Sequence, residues 1–122
     1  MELNDAIMVI DCNYQCSENS FIYDLHEKNI FCIQHFWEYY DSIIVLAKEA
    51  LTKGRSMETA MKITFVYQSI LKEIIYHFDK QDMTHIKQFP VHYAEYIERL
   101  DGALDAYYRG VFIKDEIYSL KR

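Results

Sequence analysis

Three cysteines and one histidine near the start of the chain are the residues whose types and spacing come closest to a chemical motif. Cys12-x3-Cys16 and Cys32-x2-His35 provide four potential zinc ligands. The spacing departs from a closed zinc site, which usually has a tighter cysteine pair followed by glycine. Cys32 also lies in the apolar run "IFCI", where a buried thiol is typical. We therefore expect free thiols, no bound metal and no cofactor.

The histidines give no better support for catalysis. "YHFD" places His77 two residues before Asp79, and residues two apart on a helix point to different sides. The sequence has no nucleophile elbow, no glycine-rich phosphate loop and no HExxH motif. We expect that the protein is not an enzyme.

"QHFWEYYDS", residues 34 to 42, combines aromatic rings with carboxylates. Such a cluster could be core, the lining of a ligand pocket, or a surface for another macromolecule. On a helix, Phe36 and Tyr40 fall on the buried stripe, whereas Trp37 and Tyr39 lie on opposite borders of it, about 160° apart. Each border ring is expected to be partly exposed. The candidates for partner binding here are Trp37, Glu38, Tyr39 and Asp41.

The elements that position these residues are predicted to be helices. Three glycines and one proline leave few positions for the tight turns of an all-β protein. Apolar spacing predicts a helix from about 34 to 53, ended by Gly54, and a second from Ser56 to about Phe78. The apolar residues of the second helix cover much more than one stripe, which predicts that it is the central helix of the fold.

A third long helix is predicted from 91 to 109, ended by Gly110, after Pro90 forces a boundary. Tyr93, Ile97, Leu100, Leu104 and Tyr107 are expected to face inward, with Glu95, Glu98, Arg99 and Arg109 outward. Shorter elements are expected at 114 to 120, after Asp79 or Asp82, and within residues 1 to 31, where "AIMVI" fits a strand or a helical turn. The whole chain, 1–122, is predicted to be one all-α domain, an antiparallel bundle of three long and two or three short helices.

Three acidic residues share one ridge of the third helix. Glu98, Asp101 and Asp105 are spaced i, i+3 and i+7, an arrangement of like charges that disfavours the helix. Arg109 can pair with Asp105, but Asp101 has no basic partner three or four residues away. A row of charged residues is more commonly just the solvent-exposed face of a helix, yet an arrangement that destabilises the helix locally often marks a functional site. The candidates for partner binding on this helix are Glu98, Asp101 and Asp105, together with Tyr108.

The charge distribution favours a basic partner. Residues 1 to 47 contain eight acids and one base, a net charge of −7, whereas residues 48 to 122 have a net charge of +1. Nucleic acid is therefore not the expected ligand, because phosphate binding needs a basic patch. No apolar run is long enough for a membrane span, and the first residues do not resemble a secretory signal. We expect a cytoplasmic protein.

Three segments resemble small helical immunity proteins of bacterial polymorphic toxin systems, including contact-dependent growth inhibition. They are "FWEYYDSIIVLAKEAL" (36–51), "ITFVYQSILKEIIYHFDKQDMTHIKQFP" (63–90) and "YAEYIERLDGALDAYYRG" (93–110). The resemblance implies a cytoplasmic antitoxin without catalytic activity that binds and blocks the C-terminal domain of a toxin, often an RNase.

The resemblance supplies no contact residues, so charge and exposure select them. The predicted toxin-binding residues are Trp37, Glu38, Tyr39, Asp41, Glu98, Asp101, Asp105 and Tyr108. Two other functions fit the sequence: a helical domain that holds an apolar ligand in its aromatic core, and a protein that binds metal through cysteine and histidine.

Overall fold

The structure, a computed structural model, describes residues 1–83 and 85–122, and its regular elements are helices. The α-helices are α1 (Leu3–Tyr14), α2 (Phe21–Tyr23), α3 (Ile33–Lys53), α4 (Met57–Phe78) and α5 (Tyr93–Arg109). A π-helical turn, Asp24–Lys28, continues α2, and a 3₁₀ turn covers Asp115–Ile117. The all-α prediction with three long helices is confirmed. No described helix combines the length and the apolar character needed to cross a membrane.

Local signals account for where the long helices begin and end. Gly54 and Gly110 follow α3 and α5 with φ angles of 82° and 68°, which residues with a side chain rarely adopt. The Ser56 hydroxyl accepts a hydrogen bond from the Thr59 amide at 3.3 Å and so caps α4. The predicted bounds of the long helices are accordingly confirmed to within two residues.

The short elements differ more from their predictions. "AIMVI" belongs to α1, a regular helix of 12 residues. The predicted final helix at 114–120 is only the 3₁₀ turn. After α4, Asp79 begins a single hydrogen-bonded turn, in which its carbonyl accepts from the Asp82 amide at 3.1 Å and its carboxylate from the Gln81 amide at 2.9 Å. The connection to α5 is also fixed by a β-bridge between Ile30 and Lys87 and by the Ile86 amide, which donates to Nδ1 of His77 at 3.0 Å.

The central helix is α3 and not α4. Nine residues of α3 are buried, compared with four of the longer α4. α1 and α5 both pack against α3, and the Tyr39 hydroxyl donates to the Ile63 carbonyl of α4 at 3.2 Å. The prediction that α4 is central is therefore wrong. Its surplus of apolar side chains remains at the surface.

The core is rich in ring contacts. The Phe31 ring meets the edges of Phe21, Tyr96 and Phe89, with centroids 5.1, 5.1 and 6.0 Å away. Phe36 lies between α3 and α5, 4.8 Å from the Tyr96 ring. Edge-to-face pairs of this kind add about 0.5–1.5 kcal/mol each beyond the area they bury. The aromatic residues of the chain thus mainly join the helices to one another.

Arg99 of α5 is buried, which corrects its predicted outward orientation. It is only 2% exposed, and the tail, which we define as residues 111–122, surrounds its guanidinium. Nη1 donates to Asp115 at 2.7 Å and to the Tyr40 hydroxyl at 3.2 Å, while Nη2 and Nε donate to the Leu120 carbonyl. The hydrogen bond from Arg99 lowers the pKa of the Asp115 carboxyl group, so this pair keeps its charges at neutral pH.

Gly102 makes the docking of the tail possible. The Tyr118 ring lies directly over this glycine, and a Cβ atom built there would come within 1.6 Å of the Tyr118 hydroxyl oxygen. Glycine in the middle of a helix costs about 1 kcal/mol relative to alanine. Here its lack of a side chain provides the space for a buried tyrosine.

We predict that Gly102→Ala destabilises the protein by roughly 1–3 kcal/mol, because the new methyl group displaces Tyr118 and this outweighs the gain in helix propensity. Urea denaturation measures the change, and limited proteolysis tests whether the tail has been released. Adding Tyr118→Ala should give a combined loss smaller than the sum of the single losses. Stabilisation by Gly102→Ala alone would show that no such clash exists.

Candidate partner-binding surface

The outward face of α4 carries a row of exposed apolar side chains. Met57, Met61 and Phe65, which we call the apolar row, are 87%, 49% and 51% exposed. Their four-residue spacing aligns them over about 12 Å of the helix. Ile75, Tyr76 and Phe78 are also exposed further along α4. Large apolar side chains grouped on one helix face commonly mark a surface that contacts another molecule.

Phe65 lies between two grooves. One groove, of about 400 Å³, is bounded by the apolar row together with Ala60, Thr64, Gln68 and Tyr108. The other, of about 230 Å³, lies between α4 and the end of α1 and includes Tyr14 and Tyr76. The Tyr14 ring meets Phe65 edge to face at 5.3 Å, which limits the orientations available to Phe65. A preoriented ring loses less conformational entropy when it binds a partner.

The acidic ridge, which we define as Glu98, Asp101 and Asp105, runs along one side of α5, and its middle residue, Asp101, contacts Tyr67 of α4. Glu98 and Asp101 are exposed and Asp105 is partly exposed. Within the ridge, Asp105 has a distant ion pair with Arg109, whose Nε lies 4.0 Å from the carboxylate. Because the ridge is accessible to solvent, its carboxylates are available to a basic partner.

Two tyrosines join α5 to α4. The Tyr67 hydroxyl donates a hydrogen bond to Asp101. The pKa of this phenol is raised well above its ordinary value, mainly by burial and secondly by the hydrogen bond. Tyr108 donates to the Ala60 carbonyl at 2.7 Å and also contacts the Thr64 hydroxyl. The Tyr108 ring remains 38% exposed beside the apolar row. Apolar and acidic groups therefore meet along the α4–α5 boundary.

Two predicted contact residues on α3 belong to the core. Tyr39 is fully buried, which corrects the expectation of a partly exposed ring, and burial raises the pKa of its phenol. Trp37 is only 9% exposed and meets the rings of Phe36 and Tyr40 at 5.1 and 5.4 Å. The helical projection placed both rings at the edge of one stripe, but α3 is covered from several sides. Its buried face is consequently wider than that projection assumed.

Trp37 and Asp41 lie together on α3, and Arg122 of the tail contacts both of them. Arg122 donates to both carboxylate oxygens of Asp41, at 2.7 and 2.5 Å. The same guanidinium lies over the Trp37 ring, 4.6 Å from its centroid. The arrangement binds a guanidinium by charge, by two parallel hydrogen bonds and by a cation–π contact. In this structure it holds the tail against α3.

The predicted contact residues thus divide into two groups. Asp101 and Tyr108 lie at the α4–α5 boundary, with Glu98 and Asp105 on the same ridge as Asp101. Trp37 and Asp41 lie under Arg122, and Glu38 is half-buried on α3. The apolar row was not among the contact residues predicted from the sequence. The signal for it was the breadth of apolar residues on α4, which was assigned to a central position in the core.

One group of potential metal ligands comes together in the described part of the chain. It consists of Asp24, Cys32 and His35. Cys12 and Cys16, which the sequence analysis considered with Cys32 and His35, are outside this group, and all three thiols are free.

Comparisons with protein-family models, with curated proteins and with solved structures find no match to this chain.

We predict that alanine substitution separates core rings from surface rings. Trp37→Ala and Tyr39→Ala should each lower the free energy of unfolding by roughly 3–5 kcal/mol, because each leaves a large cavity in the core. Phe65→Ala should cost only about 1 kcal/mol, since half of that ring is already in water. Chemical denaturation followed by circular dichroism measures all three. Equal losses at Phe65 and Tyr39 would contradict the assignment of Phe65 to the surface.

Proposed function

We propose that this protein is an immunity protein that binds and neutralises a toxin domain, a basic nuclease such as an RNase, from a contact-dependent growth inhibition system or a related one. The observation that carries the proposal is the exposed apolar row of α4, which shares a groove with Tyr108 of α5, while Asp101 of the acidic ridge is joined to α4 through Tyr67. The resemblance of residues 34–110 to such immunity proteins supports the same function.

The surface has the composition of a binding interface. Protein interfaces combine an apolar centre with a polar rim, and they are enriched in methionine and aromatic residues. The apolar row supplies two methionines and a phenylalanine, and the acidic ridge provides one charged border. Methionine side chains adapt their shape to a partner. Phe65, held by Tyr14 between two grooves, is the proposed central anchor.

The charge of the surface suits a nuclease as the partner. A nuclease holds its substrate through basic groups that contact phosphates, so its cleft attracts an acidic protein surface. The net charge of −6 and the acidic ridge would speed association with such a domain. Occupying the cleft excludes RNA or DNA and requires no catalysis by the immunity protein. In this proposal the immunity protein acts in the cytoplasm, where the toxin reaches its substrate.

A domain that binds a small apolar ligand is the alternative function. The core rings contact one another, so the space for a ligand would be the groove of about 490 Å³ beside the tail, between α3, α5 and Phe112. Native mass spectrometry of the purified protein distinguishes the two functions. A co-purifying organic molecule would favour the ligand-binding domain.

The direct test is calorimetry with the toxin domain encoded immediately upstream of this gene. We expect tight binding in one-to-one stoichiometry and loss of the nuclease activity of the toxin in the complex. An absence of association, or a complex in which the toxin remains fully active, would contradict the proposal.

We predict that charge reversal on the acidic ridge slows association with the toxin. Glu98→Lys, Asp101→Lys and Asp105→Lys should each lower the association rate and weaken its dependence on salt concentration, because the steering charge is lost. Stopped-flow fluorescence measures both effects. Glu18→Lys is the matched control, since it makes the same charge change at an exposed position in the turn after α1. Equal effects at Glu18 and on the ridge would mean that only net charge matters.

Charge reversal at Glu38 and Asp41 tests the second predicted group. We expect Glu38→Lys to slow association less than the ridge variants do, because Glu38 is half-buried on α3. Asp41→Lys should release Arg122, so its effect on binding must be compared with that of Arg122→Ala. A slower association for Glu38→Lys than for the ridge variants would place the interface on α3.

We predict that Phe65→Ala weakens binding by about 2 kcal/mol or more, since aromatic anchors at the centre of an interface contribute most of its affinity. Met61→Ala should have a smaller effect. Met83→Ala is the matched control because Met83 is 93% exposed outside the apolar row. Calorimetry on folded variants gives these differences, and an unchanged affinity for Phe65→Ala would exclude this face from the interface.

A further inference from the structure

A carboxylate, a thiol and an imidazole meet where the π-helical turn approaches the beginning of α3. Asp24, Cys32 and His35 each offer one ligand atom, and these three atoms lie within 4.8 Å of one another. Asp24 is 2% exposed, and its Oδ2 atom lies 2.5 Å from Nδ1 of His35. Lys28 also approaches Asp24, with its Nζ 4.0 Å from the other carboxylate oxygen.

The backbone explains how residues distant in sequence come together. The π-helical turn ends at Asn29, which has a φ angle of 53°, and the amide of Ile30 donates to the Asp24 carbonyl at 3.0 Å. This reversal returns the chain alongside Asp24. Cys32 then occupies the N-cap position of α3, and His35 follows in the first turn of that helix. Three residues apart, the two side chains lie on the same side of the helix.

We propose that Asp24, Cys32 and His35 form a binding site for a divalent transition-metal ion, with zinc as the ion that best suits this ligand set. Zinc accepts sulfur, nitrogen and oxygen ligands in tetrahedral geometry, with bonds of about 2.0–2.3 Å. A thiolate disfavours magnesium and calcium, which select oxygen ligands. Three protein ligands leave the fourth position to water.

The distances require only a small adjustment. Ligand atoms around a tetrahedral zinc ion are separated by roughly 3–4 Å, as its bond lengths imply. The Asp24 and His35 atoms, now 2.5 Å apart, must separate slightly, and the Cys32 sulfur must approach them. The metal replaces the hydrogen bond between Asp24 and His35. A neutral His35 that binds through Nδ1 keeps its proton on Nε2, so the proton released to solvent is that of the Cys32 thiol. The positive end of the α3 dipole favours the resulting thiolate at the N-cap.

A cysteine, a histidine and an aspartate are also the residues of a nucleophilic catalytic triad. Such a triad needs a substrate cleft beside the thiol. The grooves described above are lined by other residues and not by Cys32 or His35. A metal ion needs no such cleft, so the geometry favours metal binding.

The test uses the full chain, freed of metal with a chelator and then titrated with Zn²⁺ alone. We expect one bound ion per chain by calorimetry, proton release in weakly buffered solution, and a higher melting temperature at saturating zinc. Co²⁺ should replace zinc and give the visible bands of tetrahedral cobalt together with a thiolate-to-metal charge-transfer band. The absence of saturable binding would overturn the proposal.

Cys32→Ser is the decisive variant. Serine is a favourable N-cap residue, and the thiol of Cys32 makes no capping hydrogen bond, so the variant is expected to fold at least as well as the unmodified protein without metal. It should lose the charge-transfer band and the stoichiometric binding of zinc. Cys16→Ser, which removes a partly buried thiol outside the cluster, should retain both.

His35→Gln provides a second variant that also removes a ligand. We expect it to weaken zinc binding at least tenfold, since loss even of a residue that only supports a ligand costs about 10–100-fold. His26→Gln is its control, because His26 hydrogen-bonds Glu73 outside the cluster. Zinc binding of equal affinity in Cys32→Ser, His35→Gln and the two controls would place the metal elsewhere and overturn the proposal.

Discussion

The buried guanidinium of Arg99 is the interaction on which the arrangement of α3, α5 and the tail depends. Removing a charge from water costs several kcal/mol unless hydrogen bonds and an opposite charge replace the lost hydration. Tyr40 of α3 and Asp115 and Leu120 of the tail together provide these partners, and the Tyr118 ring lies 4.1 Å from the guanidinium. None of these elements alone satisfies Arg99. The tail is therefore a structural part of the fold, and it covers Trp37 of α3, which the sequence suggested as a contact residue.

The long helices could be predicted because their limits depend on neighbouring residues. Gly54, Ser56 and Gly110 fix the backbone or cap it locally, and the apolar period identifies the helical segments between them. Which helix is central could not be predicted in the same way. α3 and α4 are both rich in apolar residues, and only the packing of α1 and α5 against α3 decides which of them is covered.

Part of the candidate surface could also be predicted, because it depends on residues close together in sequence. The acidic ridge follows from the spacing of three residues on one helix, and the structure leaves all three accessible, with Asp105 partly so. Tyr39 and Arg99 were assigned to the wrong side because their surroundings come from distant segments: Ile63 for the tyrosine, and Asp115 and Leu120 for the arginine. The metal-ligand cluster shows the same limit. Cys32-x2-His35 is visible as a local pattern, but Asp24 joins it only through the reversal at Asn29.

The space above Gly102 also affects which parts of the molecule unfold together. Tyr118 fills that space and contacts the Arg99 guanidinium, so the tail cannot detach without exposing a charge that α3 and α5 alone do not satisfy. Release of the tail and separation of α3 from α5 should accordingly belong to one cooperative unfolding unit. The apolar row of α4 takes no part in the hydrogen bonds and ring contact that hold Arg99 to α3 and the tail. It can change shape against another molecule while the tail, α3 and α5 stay closed.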